Sequence, residues 1–354
     1  MDLLFVLGTK AQFIKTIPMI NLAIKNNLKV TLFNLNQHPE KTKLLLDNIK
    51  GEYQYFSFVK NEKDLGTYAG LLMWAIKVLI RILVPQKSFH NKFSIVHGDT
   101  LSTLLGAILI RRNRGRLVLL EAGLGFPGMF KHFPESFVRY YVAKYSHVMI
   151  ANGKDQIQQL NDWKVKGDIL EISKNTIYDS LDLVSLSRKS STKKVTISIH
   201  RTENINSKEN MEKLVTNILQ ISSDYEISWF LHIPTKNKLK NYNLLSVLEE
   251  GGIILEDLLP YDEFLNSLYN SNFVISDGDG VVEECYLLGV PTLVWRYEHL
   301  DSNHLFVDDT SLLLSKFDHN VCLDFYSNYK SYKKERKTGA NSPSKEALMK
   351  LINL

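Results

Sequence analysis

The residues with the clearest chemical potential stand where apolar runs end. The stretch "SDGDG", residues 276–280, follows the apolar run Phe273-Val274-Ile275 and leads into a segment with Glu283 and Glu284 near its front. Glycine lets a backbone approach a ligand closely, and a helix N-terminus offers bare N–H groups to an anion. The junction of Asp277, Gly278, Asp279 and Gly280 therefore has the makings of a phosphate seat, with the charge of Asp279 set against it. Polar residues close other apolar runs in the same way: Lys10, Gln37-His38, His97-Gly98-Asp99-Thr100, Glu121 and His200-Arg201. One acid in such a place is ordinarily a cap for the next helix. Five or six such groups across both halves of the chain predict a binding site, because open α/β sheets bind ligands beyond the carboxyl ends of their strands.

The elements that must position these residues alternate along the chain. In the first half "LLFVLGT" (3–9), "KVTLFNL" (29–35), "KFSIVHGD" (92–99), "GRLVLLEAG" (115–123) and "HVMIAN" (147–152) read as strands separated by helical stretches. The polar run "SLSRKSSTKK" (185–194) has the composition of a linker. The pattern then restarts with "VTISIH" (195–200), "EISWFLHI" (226–233), "GIILED" (252–257), "NFVISDG" (272–278) and "PTLVWR" (291–296). Strands separated by helices predict parallel sheets covered on both faces, hence an α/β chain. A first domain is expected over residues 1–165, a second over 185–335, and a terminal helix over 340–354 packing back on the first. Two such domains facing one another would gather the strand-end residues around one cleft.

Bulk composition narrows the function classes. The 354 residues are 44% hydrophobic and 23% charged, enough for a soluble chain with a real core. The net charge of +5 is spread out, with small basic clusters near 111–116 and 330–337, unlike the concentrated basic face of a nucleic-acid binder. Cys285 and Cys322 are the two cysteines, and neither has metal-ligand spacing. No metal, cofactor or disulfide framework is expected. With no secretory signal evident at the N-terminus, a cytoplasmic location is expected. The apolar run 68–84, "YAGLLMWAIKVLIRILV", is too short and too charged to span a bilayer. Lys77 and Arg81 share a face with Gly70 and Trp74. The run reads either as a core helix with a narrow polar stripe or as a helix lying on the inner membrane face, its cations snorkelling to headgroups.

Seven short segments, in order, resemble the UDP-N-acetylglucosamine 2-epimerase family. They are "GTKAQFIK" (8–15), "VHGDTLST" (96–103), "EAGL" (121–124), "FPESFVR" (133–139), "KNTIYDSL" (174–181), "IHRTENI" (199–205) and "SDGDGVVEEC" (276–285). The resemblance implies the glycosyltransferase-B architecture, two Rossmann-like doubly wound domains. It implies inversion at C2 of an N-acetylated UDP-hexosamine, by elimination of UDP to a 2-acetamidoglucal and re-addition, in surface polysaccharide synthesis. Such chemistry needs a base for a weakly acidic C2 proton and an acid near the departing phosphate, as carboxylates raised by burial or set close together can provide. By resemblance Asp99, Glu121 and Glu135 are those carboxylates and His200 a proton donor near the diphosphate. Arg201 and Lys15 would neutralise the leaving group. Lys10, His38, Arg139, Arg201, Asp277, Gly278, Asp279, Gly280 and Glu284 would hold the nucleotide, with Glu284 on the ribose. A homodimer is compatible with the family.

Departures from the family pattern fall on nucleotide binding. Its first-motif arginine is Lys10, which keeps charge but loses the bidentate fork, and the following Pro-Glu is Ala11-Gln12. In the phosphate turn a serine has become Gly278 and a glycine Asp279. A second helix acid is Ala143, and "WRYEHLDSNH" (295–304) replaces a basic, threonine-rich segment. Asp279 either turns outward or opposes a diphosphate. The altered turn and the apolar helix also fit a glycosyltransferase on the same fold, with another donor and a lipid-linked acceptor. A homologue that binds a sugar nucleotide as a regulator is a third reading.

Overall fold

Apolar runs bounded by polar residues become two separate parallel sheets in a computed structural model. It describes residues 2–60, 64–65, 68–86, 89, 92–124, 134–188, 193–298, 310–337 and 342–354. Phe133, the middle of the 185–194 linker, residues 299–304 and the first two residues of the 340–354 segment lie outside the described residues.

The first unit runs to Leu183 and takes in the terminal helix. Its elements begin β1 (Asp2–Leu7), α1 (Lys10–Lys25), β2 (Lys29–Asn34), α2 (Pro39–Leu46), β3 (Gln54–Ser57), α3 (Tyr68–Ile82) and β4 (Phe93–His97). There follow α4 (Leu101–Arg112), β5 (Arg116–Leu120), α5 (Glu135–Tyr145), β6 (Val148–Ala151), α6 (Lys154–Asp162), β7 (Asp168–Glu171) and α7 (Ile177–Ser180). The second unit begins β8 (Lys194–Ser198), α8 (Thr202–Ile205), α9 (Lys208–Ile221), β9 (Glu226–Leu231), α10 (Ile233–Asn241), α11 (Leu245–Glu250) and β10 (Ile254–Asp257). It continues α12 (Tyr261–Asn270), β11 (Phe273–Ser276), α13 (Asp279–Leu288), β12 (Thr292–Val294), β13 (Leu312–Leu314) and α14 (His319–Asn328). The chain ends in α15 (Pro343–Ile352).

Every strand pair is parallel, in the orders β3-β2-β1-β4-β5-β6-β7 and β10-β9-β8-β11-β12-β13. Central strands such as "LLFVL" and "FVIS" are buried on both faces, which is why they read as unbroken apolar runs. Three strands are absent from the sequence reading: β3, β7 and β13. All are sheet edges of three or four residues, too short for a pattern, and β3 is exposed throughout. The strand order reverses between β1 and β4, and again between β8 and β11. Loops leaving the two strands at a reversal diverge and leave a crevice, where open sheets place their ligands.

On α3, Trp74, Val78 and Ile82 enter the core of the first unit, and Trp74 Nε1 donates to Leu35 O at 2.7 Å. Trp74 is therefore buried rather than part of an outer stripe with Lys77 and Arg81. Ala143 is fully buried on α5, so the acid of the family pattern has no place there. Among the described residues no helix is long and apolar enough to cross a membrane. The terminal α15, capped by Ser342, packs on α1. Ser344 N donates to Asp179 Oδ2 at 2.7 Å and Ser173 N to Glu346 Oε2 at 2.9 Å.

Candidate active site

In the first unit the chemical groups gather beyond the carboxyl ends of β1 and β4, at the reversal. Thr9 caps α1, and Gln12 Oε1 answers by accepting from Gly8 N at 2.8 Å and Thr9 N at 3.1 Å. Gln12 Nε2 donates to His97 O and to Thr103 Oγ1, each at 2.8 Å. An amide can accept from backbone N–H groups and donate to a carbonyl at once, whereas an ionised carboxylate can only accept. The glutamine that replaces the family's acid therefore ties α1 to the β4–α4 turn; the departure is structural.

One turn further along α1, Lys15 Nζ lies 2.5 Å from Glu121 Oε1, which also accepts from Asn175 Nδ2 at 2.6 Å. Glu121 Oε2 is 3.6 Å from His97 Nδ1. Glu121 follows β5 with φ +59°, a left-handed conformation that costs a non-glycine residue on the order of 1–3 kcal/mol and gathers at functional sites. Burial works to raise its carboxyl, but Lys15, His97 and the hydrogen bonds from Lys15 and Asn175 outweigh it and hold the group at about 2. Of the two routes the sequence left open, a carboxyl raised by burial or one set beside another charged group, Glu121 follows neither upward: its partners favour the carboxylate. His97 is pushed down to about 4, first by burial and then by Lys15, against the pull of Glu121 and Asp99. It is a neutral imidazole at pH 7, and its Nε2 has no hydrogen-bond partner among the described residues.

Asp99, two residues past His97, is partly exposed, and its Oδ2 accepts from Arg139 Nε at 2.7 Å and Nη2 at 2.5 Å. Arg139 thereby ties α5 to the site, and Glu135 stands exposed at the first turn of the same helix. Lys10 N donates to His38 Nδ1 at 3.5 Å, and burial, then Lys41, lower the imidazole of His38.

The second unit repeats the arrangement beyond β8 and β11. Asp277 is fully buried, and its carboxylate accepts from His200 N and Arg201 N, each at 3.0 Å, and from Asn204 Nδ2 at 2.9 Å. It braces two turns together through these three hydrogen bonds. His200 stacks on His232 with centroids 4.5 Å apart and lies over Gly278, where an added Cβ would meet its Cε1 at 2.5 Å. Glycine at 278 is thus the seat of His200. At Gly280 an added Cβ would meet nothing.

Asp279, in the first turn of α13, spans two guanidiniums: Oδ1 is 2.7 Å from Arg296 Nη1 and Oδ2 is 2.5 Å from Arg201 Nη1. Arg296 is itself buried and donates to Asp277 O through Nε at 2.7 Å and through Nη2. Arg201 pairs with Glu203 as well. Burial raises the Asp279 carboxyl, but Arg296 and Arg201 together hold it below its ordinary range. Its charge is therefore answered inside the protein. Glu284 is buried near Tyr261, and burial, then Glu284, push the phenol well above its usual range.

Three residues of this geometry were not marked in the sequence: Asn175, His232 and Arg296; His97 was marked at its strand end but given no role. His232 and Arg296 follow strands, the same signal that marked His200 and Arg201.

A family model described as UDP-N-acetylglucosamine 2-epimerase matches residues 21–316. The UDP-N-acetylglucosamine 2-epimerase of Methanococcus maripaludis is 27% identical over 310 residues, 82% of each chain. That of Methanocaldococcus jannaschii is 24% identical over 314 residues, 84% of each. The crystal structure of UDP-GlcNAc 2-epimerase from Neisseria meningitidis, bound to UDP-GlcNAc, has a TM-score of 0.81 at 21% identity, covering 100% of both chains. The Methanocaldococcus jannaschii enzyme in complex with UDP-GlcNAc and UDP gives 0.77 at 23%, covering 100% of this chain and 99% of that one.

Proposed function

The chain belongs to the UDP-N-acetylglucosamine 2-epimerase family, and on that premise we propose that it inverts C2 of an N-acetylated UDP-hexosamine. In the proposed cycle a carboxylate removes the C2 proton and C1=C2 forms. The C1–O bond breaks with its electrons leaving on UDP, which yields a 2-acetamidoglucal. A proton then returns to the opposite face of C2 as the diphosphate oxygen re-forms the bond to C1.

The observation that carries this reading is the cluster of Lys15, His97, Asp99 and Glu121 at one strand-order reversal. Asp99 is the group we assign to proton transfer, with Glu135 as the second carboxyl. Glu121 holds Lys15 in place to answer charge on the leaving group. In the second unit His200 and Arg201 attend the diphosphate, Glu284 the ribose.

Turnover of UDP-N-acetylglucosamine in heavy water tests the proposal. An epimerase of this kind must place deuterium at C2, and Asp99→Asn should slow the exchange by on the order of 10² to 10⁴-fold. Protein that binds the nucleotide sugar yet never exchanges C2 would overturn it.

A further inference from the structure

A second concave site lies at the amino ends of the strands in the first sheet. Arg116 is the first residue of β5, Asp168 the first of β7, and His147 stands directly before β6; all three line a cavity of about 730 Å³. Glu121 follows the other end of β5. The length of that strand, about 16 Å at about 3.3 Å per residue, therefore separates this cavity from the cluster around Glu121. The cavity floor is held by the sheet itself. His147 N donates to Leu117 O and Asp168 N donates to His147 O, each at 2.9 Å, so His147 is tied to both neighbouring strands. Glycine at 167 lets the start of β7 lie against β6, since an added Cβ would meet His147 O at 2.6 Å.

Positive charge in this cavity is unanswered. Arg111, Arg116, Lys144 and Lys166 line it against the single acid Asp168, and none of the four has an ion-pair partner among the described residues. Arg111 and Arg116 bound the small basic cluster seen in the sequence. His147 gives an independent sign of a missing anion. Its Nδ1 accepts from Leu117 N at 2.8 Å, so a neutral ring carries its hydrogen on Nε2. Arg111 Nη1, which can only donate, lies 2.7 Å from that same Nε2. Burial, then Arg111 and Arg116, lower the imidazole and favour the neutral form. Two donors thus face each other, and an anionic oxygen between them would accept from both.

We propose that this cavity binds a small phosphate-bearing ligand with a planar ring, of the class of a nucleoside monophosphate, at a site separate from the reaction. Phosphate suits the charge, because its oxygens accept charge-assisted hydrogen bonds from guanidinium, ammonium and imidazole together. Arg111, Lys166 and the Nε2–H of His147 hold it. The ring is called for by what else lines the cavity. Tyr141 and Tyr145 lie with centroids 4.6 Å apart, and Tyr145 is 50% exposed, which leaves an aromatic face open to stack on a base. A bare phosphate would fill only a small part of the volume and leave that face unused.

Calorimetric titration of the full chain with AMP, in the presence of saturating UDP, tests the proposal. AMP should bind without displacing UDP, and the imidazole resonances of His147 should shift as it does. Inorganic phosphate should bind at the same place more weakly, by on the order of tenfold or more. Arg111→Ala with Lys166→Ala should weaken AMP binding by on the order of tenfold or more. Tyr145→Ala should weaken AMP and leave phosphate unchanged. The three replaced side chains are exposed, and an unchanged thermal midpoint checks that each variant is folded. Displacement of AMP by UDP, binding insensitive to the Arg111 and Lys166 changes, or no binding at all overturns the proposal. Equal affinity for phosphate and AMP overturns it too, since the tyrosines would then hold nothing.

Discussion

Lys15 Nζ and Glu121 Oε1 lie 2.5 Å apart, with side chains only 17% and 12% exposed, and Glu121 adopts a left-handed backbone to make the pair. Glu121→Gln removes the charge and leaves a largely buried ammonium facing an amide. Breaking a buried pair from one side costs about 3–5 kcal/mol, whereas replacing both partners is often close to neutral. Denaturant unfolding should show a large loss for Glu121→Gln and a smaller one for Glu121→Gln combined with Lys15→Met. Both variants should be inactive. Wild-type stability in the single variant would mean that the pair is in effect solvated.

Acid should destabilise this fold from well above the carboxylate range. Burial is the main cause that takes His97 from 6.5 down to about 4, so the unfolded chain binds a proton in that window that the folded chain refuses. Stability therefore falls as pH drops from about 6.5 to 4, by on the order of 3 kcal/mol from this residue. Glu121, held at about 2 against an ordinary 4.5, favours the folded state above 4.5 and loses that contribution between 4.5 and 2. His38 and His147, lowered first by burial, act in the upper window too. Unfolding midpoints measured against pH should thus slope more gently in His97→Gln than in the wild type between pH 7 and 5. Parallel slopes would show that His97 is protonated in the folded protein.

What the sequence disclosed follows from burial. The central strands are saturated with apolar residues and announce themselves; β3, β7 and β13 are short edges, the first two with no buried residue and the third buried but only three residues long. Strand-end polar residues marked both clusters, but not what each side chain does. The bracing hydrogen bonds of Asp277 and Gln12 were hidden because their partners are 76 or more residues away in sequence: Arg201, His200 and His97. The state of Glu121 was hidden for the same reason, since Lys15 is 106 residues away.

Gly278 occupies the N-cap position of α13, where serine would ordinarily serve better, and the helix has no side-chain cap. The missing cap is explained by His200, which fills the space a Cβ would need. Gly278→Ser should leave stability within about 1 kcal/mol, since a cap is gained and a partly exposed imidazole can swing away. Activity should fall by on the order of 10²-fold if the ring attends the diphosphate as proposed, because it is displaced by about an ångström. Imidazole resonances of His200 and His232 should shift together as their stack breaks. Unchanged turnover would remove His200 from the reaction.

Asp279 offers the sharpest test of how this turn receives a nucleotide. Its carboxylate sits on the guanidiniums of Arg201 and Arg296. A diphosphate arriving there must either displace that carboxylate or share its partners, and either course weakens binding. Asp279→Gly removes the competitor and frees two charge-assisted donors, each typically worth more than a neutral hydrogen bond. The dissociation constant for UDP should fall by about tenfold, equivalent to about 1.4 kcal/mol, and its salt dependence should steepen. Asp279→Asn, which keeps size but not charge, should move the same way by less. Stability should drop modestly in both, as a first-turn acid and two ion pairs are lost. Exchange at C2 should persist, because Asp279 takes no part in the proposed proton transfer. If calorimetry instead finds UDP bound more weakly by Asp279→Gly, the carboxylate is aligning Arg201 and Arg296 for the ligand, and competition is the wrong description of this turn.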